Sequence, residues 1–409
     1  MGLYRFKPTP SGRMGILWTL ATIKDAAVVE FGCMGHMLYS TVTLSHAGVY
    51  EGCKMYSTHI DETDIALGST LRLNKTIENI LQHQPVKVIF LLPSAVPEVI
   101  GTDLKALALE LGDLYPEIKF IPLAFGGFDI YQHRGVEETL KTIVDKIPLD
   151  RDQTQKYSYN IIGSCADLFR FQSDAHEIKR ILKGALNMEP ICILSSETAI
   201  DAIENMGKAQ INLVIRKEGE AAAKVLQKRF GTPYLLERPY GIAGTEEWLD
   251  KIIKMIEIDE NRDFIQAEKD LAYKQIYPIM PAMRHLVRMH TDEATLTLGG
   301  HLDTVKGILK YGMEEFDLKK GACWCDNPES KDLEIPYYKE SEWIEIIQAH
   351  QKGILMASGE ALAWKGANLE YQIANPDIKW RLHEYDPPFV GFRGAVHLAN
   401  LWINSTNED

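Results

Sequence analysis

One short stretch places a thiol where metal chemistry is common. In VVEFGCMGHMLYS, residues 28–40, an apolar β-branched run ends at Gly32 and Cys33 follows directly. A cysteine in such a turn is either a small buried core residue or a metal ligand. His36 lies within one helical turn of the thiol, and it either packs there or donates a proton close to a bound metal. We therefore take Cys33 as a candidate ligand and His36 as a candidate catalytic residue.

The other five cysteines leave several interpretations open. Cys53 also follows a glycine, and it is either structural or a second metal ligand. Cys165 and Cys192 end or lie within apolar runs, which indicates core positions. Cys323 and Cys325 form a C-W-C pair. It is a loop staple, a pair of unbonded thiols, a second metal site or a ligand lent to a neighbouring chain.

Short apolar runs alternate with amphipathic stretches along the chain, and these elements must position the thiols. Near-continuous apolar strands separated by helices indicate parallel sheets that are covered on both faces. Eight strands are more than one doubly wound unit needs, so the pattern predicts several such units. The predicted strands are 26–31, 86–92, 118–125, 159–164, 190–196, 211–217, 294–300 and 352–359.

Two stretches between the apolar runs predict three domains. A polar stretch at 146–159 precedes a fresh strand, and Asp259–Met289 reads as a helical connector that Pro278 and Pro281 must kink or break. In doubly wound sheets, ligands bind at the carboxyl ends of strands. Cys33 lies at such an end, as do the segments 126–127, 164–165, 195–196 and 299–300. The predicted domains are 1–150, 151–258 and 259–409.

Composition narrows the class of partner and the compartment. The 409 residues carry a formal net charge of −13, which argues against nucleic acid or an anionic membrane surface as a partner. No apolar run approaches the ~18 residues that span a bilayer, and the first residues lack the apolar core of a secretion signal. Six irregularly spaced cysteines do not resemble a disulfide framework. We expect a cytoplasmic protein with reduced thiols.

Several common motifs are missing from the sequence. It contains no G-x-x-x-x-G-K-[ST] loop for ATP and no G-x-G-x-x-G turn after a strand for a dinucleotide. It also contains no H-E-x-x-H, no paired C-x-x-C and no G-x-S-x-G elbow. We therefore expect no nucleotide on this chain. If the protein is a redox enzyme, its electrons enter from another protein.

Six segments resemble the corresponding segments of one protein family, in the same order along the chain: EFGCMGHMLYS (30–40), DETDIALGSTLRLNKTI (61–77), PSAVPEVIGTDL (93–104), YNIIG (159–163), AQINLVIRKEGEAAAKVLQKRFGTPYL (209–235) and PPFVGFRGAVHLANLWI (387–403). The family they resemble is the nitrogenase component 1 proteins. That family includes molybdenum–iron protein subunits, their cofactor scaffold, dark-operative protochlorophyllide reductase and nickel-sirohydrochlorin reductase. The resemblance implies three Rossmann-like α/β domains, paired subunits, an iron–sulfur cluster at the pair interface and a separate ATP-hydrolysing iron–sulfur reductase.

Carried over residue by residue, the resemblance is incomplete. Cys33 matches the second of the family's three cluster cysteines, the first would fall near 8–10, and the third falls on Ala95. One ligand per chain implies a cluster that is shared. A homodimer would complete a four-thiolate cubane if Cys53 also ligates, and otherwise a related, ligand-rich subunit forms a heterodimer or heterotetramer with this chain.

The ligands of the catalytic cofactor of true nitrogenases are also incomplete here. Its cysteine would fall at 215–217, where the sequence reads Ile-Arg-Lys, whereas His383 matches its histidine. One ligand without the other does not imply dinitrogen reduction, and we expect His383 to face a substrate cavity instead.

Two functions of different classes follow from the sequence. The first is a nitrogenase-like reductase subunit that passes electrons through the interface cluster to an organic substrate, with a tetrapyrrole as the leading candidate. His36 and His383 would supply protons to that substrate. The second is a non-catalytic scaffold that holds a metal-cluster or cofactor precursor during assembly. A third possibility is that the chain no longer carries out redox chemistry and mainly completes a heteromer.

Overall fold

Most of the chain is defined in a computed structural model. The described residues are 10–33, 37, 41–42, 44–45, 48–49, 52–99, 101–123, 126, 130–149, 153–376 and 386–405. They form three sheets of four parallel strands each, with helices on the faces of the sheets. Among these residues, no helix combines the length and the apolar character that crossing a membrane would require.

The first sheet has the strand order β2-β1-β3-β4, and its four strands are parallel. Its strands are β1 (Ala26–Phe31), β2 (Lys54–Ser57), β3 (Val88–Pro93) and β4 (Lys119–Pro122). The helices of this region are α1 (Gly12–Leu20), α2 (Glu62–Leu67), α3 (Leu71–His83), α4 (Ala95–Val99), α5 (Leu104–Leu114) and α6 (Gln132–Lys146).

The second sheet repeats this arrangement with the order β6-β5-β7-β8. Its strands are β5 (Ser158–Ser164), β6 (Glu189–Ser195), β7 (Ile211–Val214) and β8 (Tyr234–Leu236). Its helices are α7 (Phe171–Leu186), α8 (Ile200–Glu204), α9 (Glu220–Phe230) and α10 (Ile242–Ile256). Two helices follow, α11 (Arg262–Ile276) and α12 (Met280–Met289), and a single 3₁₀ turn at Tyr277–Ile279 separates them at the predicted prolines.

The third sheet has the order β10-β9-β11-β12. Its strands are β9 (Thr295–Gly300), β10 (Lys319–Cys325), β11 (Ile354–Ser358) and β12 (Gln372–Ala374). Its helices are α13 (Leu302–Phe316), α14 (Glu340–Ala349) and α15 (Gly359–Lys365), and the closing helix is α16 (Gly391–Ser405). The closing helix packs against α7, α10 and α11, so it joins the end of the chain to the second region.

The core follows from strands that are buried on both faces. All six residues of β1 are buried, and alternate side chains point to opposite faces of the sheet. Val28 packs in one apolar cluster with Leu17 of α1, whereas Val29 packs in another with Ile77 of α3. Burial on both faces explains why this strand is apolar at every position except Glu30.

Glycines set the close approach of α1 and α6. A Cβ atom on Gly135 would lie 1.9 Å from the carbonyl oxygen of Gly12, and one on Gly15 would lie 2.2 Å from that of Gln132. Only glycine at these positions lets the two helices pack so closely. This contact fixes where α6 begins, and therefore where Gln132 and His133 lie.

The doubly wound α/β prediction is confirmed in all three regions. Each of the eight predicted strands corresponds to an observed one, and each sheet lies within one predicted domain range, while the boundaries near 150 and 258 stay predictions. The C-W-C pair is not in a loop. Cys323 and Cys325 lie on β10, and both are free thiols, which corrects the loop-staple interpretation.

Candidate functional site

The thiol turn, Gly32–Cys33 directly after β1, is held from both sides. The amide of Gly32 donates to Thr58 Oγ1 at 3.0 Å, and the amide of Ile60 donates to the carbonyl of Gly32 at 3.0 Å. On the other side, the amide of Ser94 donates to the carbonyl of Phe31 at 3.0 Å. A Cβ atom on Gly32 would lie 2.2 Å from Ser94 Oγ, so a side chain there would displace the turn. The backbone that carries Cys33 is therefore fixed by segments after β2 and β3.

Cys33 differs from the other cysteines in its exposure. All six cysteines are described, and Cys33 is partly exposed while the other five are buried. Ala95 is also partly exposed. The register of β1 and β3 pairs Phe31 with Pro93, so Cys33 and Ala95 each lie two residues beyond the ends of these neighbouring strands. The resemblance puts the family's third cluster cysteine at this alanine.

Cys53 lies at the opposite end of the same sheet. The register pairs Lys54 with Ala27, so Cys53 is level with Ala26, seven positions before Cys33. At ~3.3 Å per residue the two thiols are ~23 Å apart along the strand direction. Burial raises the pKa of the Cys53 thiol well above its usual range. The placement does not favour Cys53 as a ligand to the cluster that Cys33 binds, and its role as a second ligand stays a prediction.

Burial also characterises the remaining thiols. Burial raises the pKa of both Cys165 and Cys192 to about 12, despite hydrogen bonds that act in the opposite direction. These two residues are core positions, as expected from the apolar runs around them. The predicted proton donors His36 and His383 lie outside the described residues.

A second candidate site is a small cavity of about 20 Å³ where the three regions meet. Each region contributes residues that lie at or just beyond the ends of its elements. The lining residues are Gln132, His133, Arg216, Glu218, His301, Asp326, Asn327 and Pro328. We call this space the inter-domain cavity.

A continuous chain of hydrogen bonds runs along the cavity wall. Gln132 Nε2 donates to Asp167 Oδ2 at 2.9 Å, and Arg216 Nη1 donates to Asp167 Oδ1 at 2.7 Å. Arg216 Nε donates to Glu218 Oε2 at 2.9 Å, and His301 Nε2 lies 3.2 Å from that same oxygen. The chain links α6, the loops after β5 and β7, and the end of β9. It therefore joins all three regions through side chains.

Charge pairing sets the ionisation of this chain. Burial alone would lower the pKa of Arg216, but attraction by Asp167 and Glu218 outweighs it and holds that pKa well above its ordinary value. Burial alone would raise the pKa of Glu218, yet Arg216 and His301 hold it well below the usual range. Burial alone would lower the pKa of His301, but Glu218 raises it overall. Arg216 and Glu218 are therefore both charged and paired with each other.

Sequence reasoning missed most of the cavity residues. The rule that ligands gather at the carboxyl ends of strands pointed to 299–300, and His301 is the next residue along the chain. Arg216 also lies just beyond the end of a strand, β7. In the sequence it was considered only because residues 215–217 lack the cysteine that the resemblance places there. Asp326 follows β10, a strand that the sequence did not predict.

Comparison with known proteins agrees with this architecture. The sequence profile of the family described as nitrogenase component 1 type oxidoreductase matches residues 11–407. The chain belongs to this family.

Two curated relatives of this nitrogenase component 1 type chain have different names. One is a subunit of light-independent protochlorophyllide reductase from Chlorobium phaeobacteroides (strain BS1), which is 27% identical over 217 residues, 53% of this chain and 39% of the relative. Another is the nitrogenase iron-molybdenum cofactor biosynthesis protein NifE of Bradyrhizobium diazoefficiens, 22% identical over 371 residues, 86% of this chain and 64% of the relative. The matched part spans less than two thirds of either relative.

A solved structure, that of Nitrogenase Cp1 at pH 6.5, has the same fold. Its TM-score is 0.79 at 15% identity, over 100% of this chain and 95% of that one. At this identity the likeness supports the three-part architecture, which confirms the fold expected from the resemblance. It does not extend to substrate or cofactor.

The inter-domain cavity does not fit a thiolate-bound metal cofactor. At 215–217, where the resemblance places the cofactor cysteine, the structure has a buried arginine paired with two carboxylates. None of the residues that line the cavity is a cysteine. In the described part of the chain, the thiol suited to an iron–sulfur cluster is Cys33 in the thiol turn.

Proposed function

We propose that this chain is a subunit of a nitrogenase-like reductase. It receives electrons from a separate ATP-dependent iron–sulfur protein and passes them, through an iron–sulfur cluster at a subunit interface, to an organic substrate. The observation that carries the proposal is the partial exposure of Cys33 in a rigid turn, while the five other thiols are buried. A cluster bound there would supply one-electron transfer.

The thiol turn fits one corner of a shared cluster. Thiolate is the usual protein ligand of iron–sulfur clusters, and a four-iron cubane needs four ligands. The turn offers one thiol, and the neighbouring strand end offers Ala95. The other ligands must therefore come from a second subunit, either a copy of this chain or a related one.

The name of one relative supports a substrate class, and the size of the inter-domain cavity bears on where such a substrate would bind. One relative is named for the reduction of protochlorophyllide, a tetrapyrrole, which supports a tetrapyrrole as the leading candidate. The inter-domain cavity, at about 20 Å³, is far smaller than the ~300–1,000 Å³ of typical small-molecule sites. A ligand as large as a tetrapyrrole would therefore bind outside this cavity, at the subunit seam close to Cys33. His36 and His383 stay the proposed proton donors.

A scaffold for metal-cluster or cofactor assembly is the second candidate. It is supported by the match to NifE, which covers 86% of this chain and is named for cofactor biosynthesis. A single exposed thiol also suits transient holding of a precursor, because release is easier from fewer ligands.

Anaerobic purification with iron and sulfide analysis and EPR, with and without dithionite, tests both candidates. We expect Cys33→Ala to lose the bound iron. Cys192→Ala, a matched variant at a buried thiol, should keep it. Full iron content in Cys33→Ala would remove the ligand assignment, and the iron content of Cys53→Ala decides whether that residue is a second ligand.

Turnover separates the two functions. Reduction of the cluster by an ATP-dependent partner, coupled to reduction of a tetrapyrrole, would establish the reductase. Transfer of the cluster to an apo-acceptor without turnover would establish the scaffold.

A gain-of-ligand variant tests the location of the cluster. Ala95→Cys restores a thiol two residues beyond the end of the neighbouring strand, so we expect it to retain its iron longer during dialysis against a chelator. Iron loss at the wild-type rate would indicate that no cluster lies between these strand ends.

A further inference from the structure

Three side chains at the edge of the inter-domain cavity have the composition of a metal site. Glu218 lies in the turn after β7, His301 directly follows β9, and Asp303 lies in the first turn of α13. One donor atom from each lies within 4.8 Å of the other two. We propose that these residues bind a single divalent first-row transition-metal ion. The site is separate from the cluster at Cys33 and does not depend on it.

The spacing of the donor atoms suits such an ion. Metal–ligand bonds of about 2.0–2.2 Å place neighbouring ligand atoms roughly 3 Å apart. His301 Nε2 lies 3.4 Å from Glu218 Oε1 and 3.2 Å from Glu218 Oε2. Asp303 is fixed in place because its Oδ2 accepts from the backbone amide of Lys217 at 2.7 Å. Only small side-chain shifts would bring all three onto one ion.

The ionisable groups around the cavity leave an excess of negative charge. Asp167, Glu218, Asp303 and Asp326 lie along or beside the wall, and Arg216 is the one permanent cation among the residues that line it. Four carboxylates and one guanidinium give −4 + 1 = −3, and a protonated His301 would make this −2. Asp167 and Glu218 are buried, Asp303 is partly exposed and Asp326 is exposed. A divalent cation bound here would offset this negative charge, part of which solvent already screens.

The two ring nitrogens of His301 lie in different surroundings. Nε2 faces Glu218, so Nε2 is the donor atom that would bind an ion together with that carboxylate. Nδ1 is buried and, among the described residues, has no hydrogen-bond partner. The ring can therefore carry its proton on Nδ1 and leave the Nε2 lone pair for the ion. The cavity of about 20 Å³ has room for a single ion or water molecule.

The donor set also decides which ion fits. Imidazole nitrogen with carboxylate oxygen suits zinc, iron, nickel or manganese, whereas sulfide-bridged clusters need thiolate, which is absent from the cavity lining. The second and third sheets each contribute ligands. A bound ion would therefore also hold those two regions together.

Equilibrium dialysis against Zn²⁺ tests the site on the whole, anaerobically purified protein after treatment with EDTA. Mass spectrometry then gives zinc per chain, and iron is measured on the same sample. We expect one zinc per chain, and we expect His301→Ala and Asp303→Asn each to weaken binding by about 10- to 100-fold or more. The matched control is His176→Ala, because His176 Nε2 pairs with Glu197 at 2.5 Å on the surface, away from the cavity. Its zinc affinity should equal that of the wild type.

Two outcomes would overturn the proposal. One is less than half an equivalent of zinc on the wild type. The other is wild-type affinity in both Asp303→Asn and His301→Ala. Asp303→Asn is nearly isosteric, and thermal unfolding of each variant separates a lost ligand from a lost fold. Loss of zinc with iron unchanged concerns this site alone, whereas loss of iron in Cys33→Ala concerns the proposed reductase function.

Discussion

The thiol turn and the inter-domain cavity occupy equivalent places but present opposite chemistry. Both lie beyond the carboxyl ends of parallel strands, where doubly wound sheets place their ligands. The thiol turn offers one partly exposed sulfur among hydroxyls and apolar side chains, whereas the cavity offers paired charges and no sulfur in its lining. The residues just beyond each strand therefore decide what that end of the sheet binds. Cys33 after β1 suits soft metal chemistry, and Arg216 and His301 after β7 and β9 suit ionic chemistry.

Among the experiments that test this contrast, thiol labelling has the largest expected effect. In cluster-free protein at pH 8, Cys165 and Cys192, with pKa values of about 12, hold roughly one thiolate in ten thousand. Because Cys33 is partly exposed and these two thiols are buried, we expect iodoacetamide to modify Cys33 faster by at least about an order of magnitude, measured by mass spectrometry of the peptides. Bound cluster should protect Cys33. Modification of the buried thiols at the rate of Cys33 would show that exposure does not distinguish the thiol turn.

Removing the central cation tests whether charge pairing holds the cavity together. Arg216→Met fills a similar volume but leaves Asp167 and Glu218 buried without their guanidinium. We expect the free energy of unfolding to fall by about 3–5 kcal/mol, measured by urea unfolding. Lys251→Met is the control, because Lys251 pairs with Glu237 on the surface and should cost less than about 1 kcal/mol. Equal losses in the two variants would show that the buried network contributes no more than a surface pair.

The packing of α1 against α6 offers a test of how the cavity is positioned. In Gly135→Ala the new methyl would collide with the backbone of Gly12, and backbone cannot move aside as a flexible side chain can. We expect a loss of about 1–3 kcal/mol in the free energy of unfolding, because overpacking forces the two helices apart. Gly244→Ala is the matched control, since a Cβ there meets nothing within 4 Å. The thiol turn should still bind its iron in Gly135→Ala, and loss of that iron would contradict the independence of the two sites.

Sequence reasoning predicted the fold well because central strands carry the signal. All eight predicted strands are present, and the four that it missed, β2, β8, β10 and β12, each lie at a sheet edge. An edge strand has a neighbour on one side only and is often partly exposed, so its residues need not form an apolar run. β2, with one exposed and three partly exposed residues, shows this most clearly.

The candidate sites were predicted unequally for a related reason. Cys33 could be identified from its residue type and from its position after a glycine. The network of Asp167, Arg216, Glu218 and His301 spans residues far apart in the chain, and each of these residues taken alone reads as an ordinary surface charge. Only the folded arrangement of three sheets brings them together, so no local pattern could have identified them.

The smallest expected effect concerns Glu315, a carboxylate outside the network, and comparison with it shows what Arg216 does for Glu218. Glu315 on α13 accepts a hydrogen bond from the amide of Ala243 on α10 at 3.0 Å, and it spans the same two regions as the Glu218–His301 contact. Burial raises the pKa of Glu315 to about 7, although that backbone hydrogen bond acts to lower it. Glu218, which is also buried, has its pKa held low by Arg216 instead. The difference between the two carboxylates is thus the presence of a paired cation.

The consequence for stability depends on pH, and its sign follows from the direction of the shift. The folded state holds the Glu315 proton more tightly than the unfolded chain, whose carboxyl has a pKa of about 4.5. This contribution to stability is therefore complete below about pH 4.5 and is lost as the pH rises through 7. Because Glu315 is partly exposed, we expect only about 1–2 kcal/mol, discounted for solvent screening. Glu315→Gln should exceed the wild type in free energy of unfolding at pH 8 and nearly match it at pH 5, whereas Glu314→Gln, at an exposed neighbour, should show no such dependence. A Glu315→Gln difference of equal size at both pH values would mean that burial does not perturb this carboxyl.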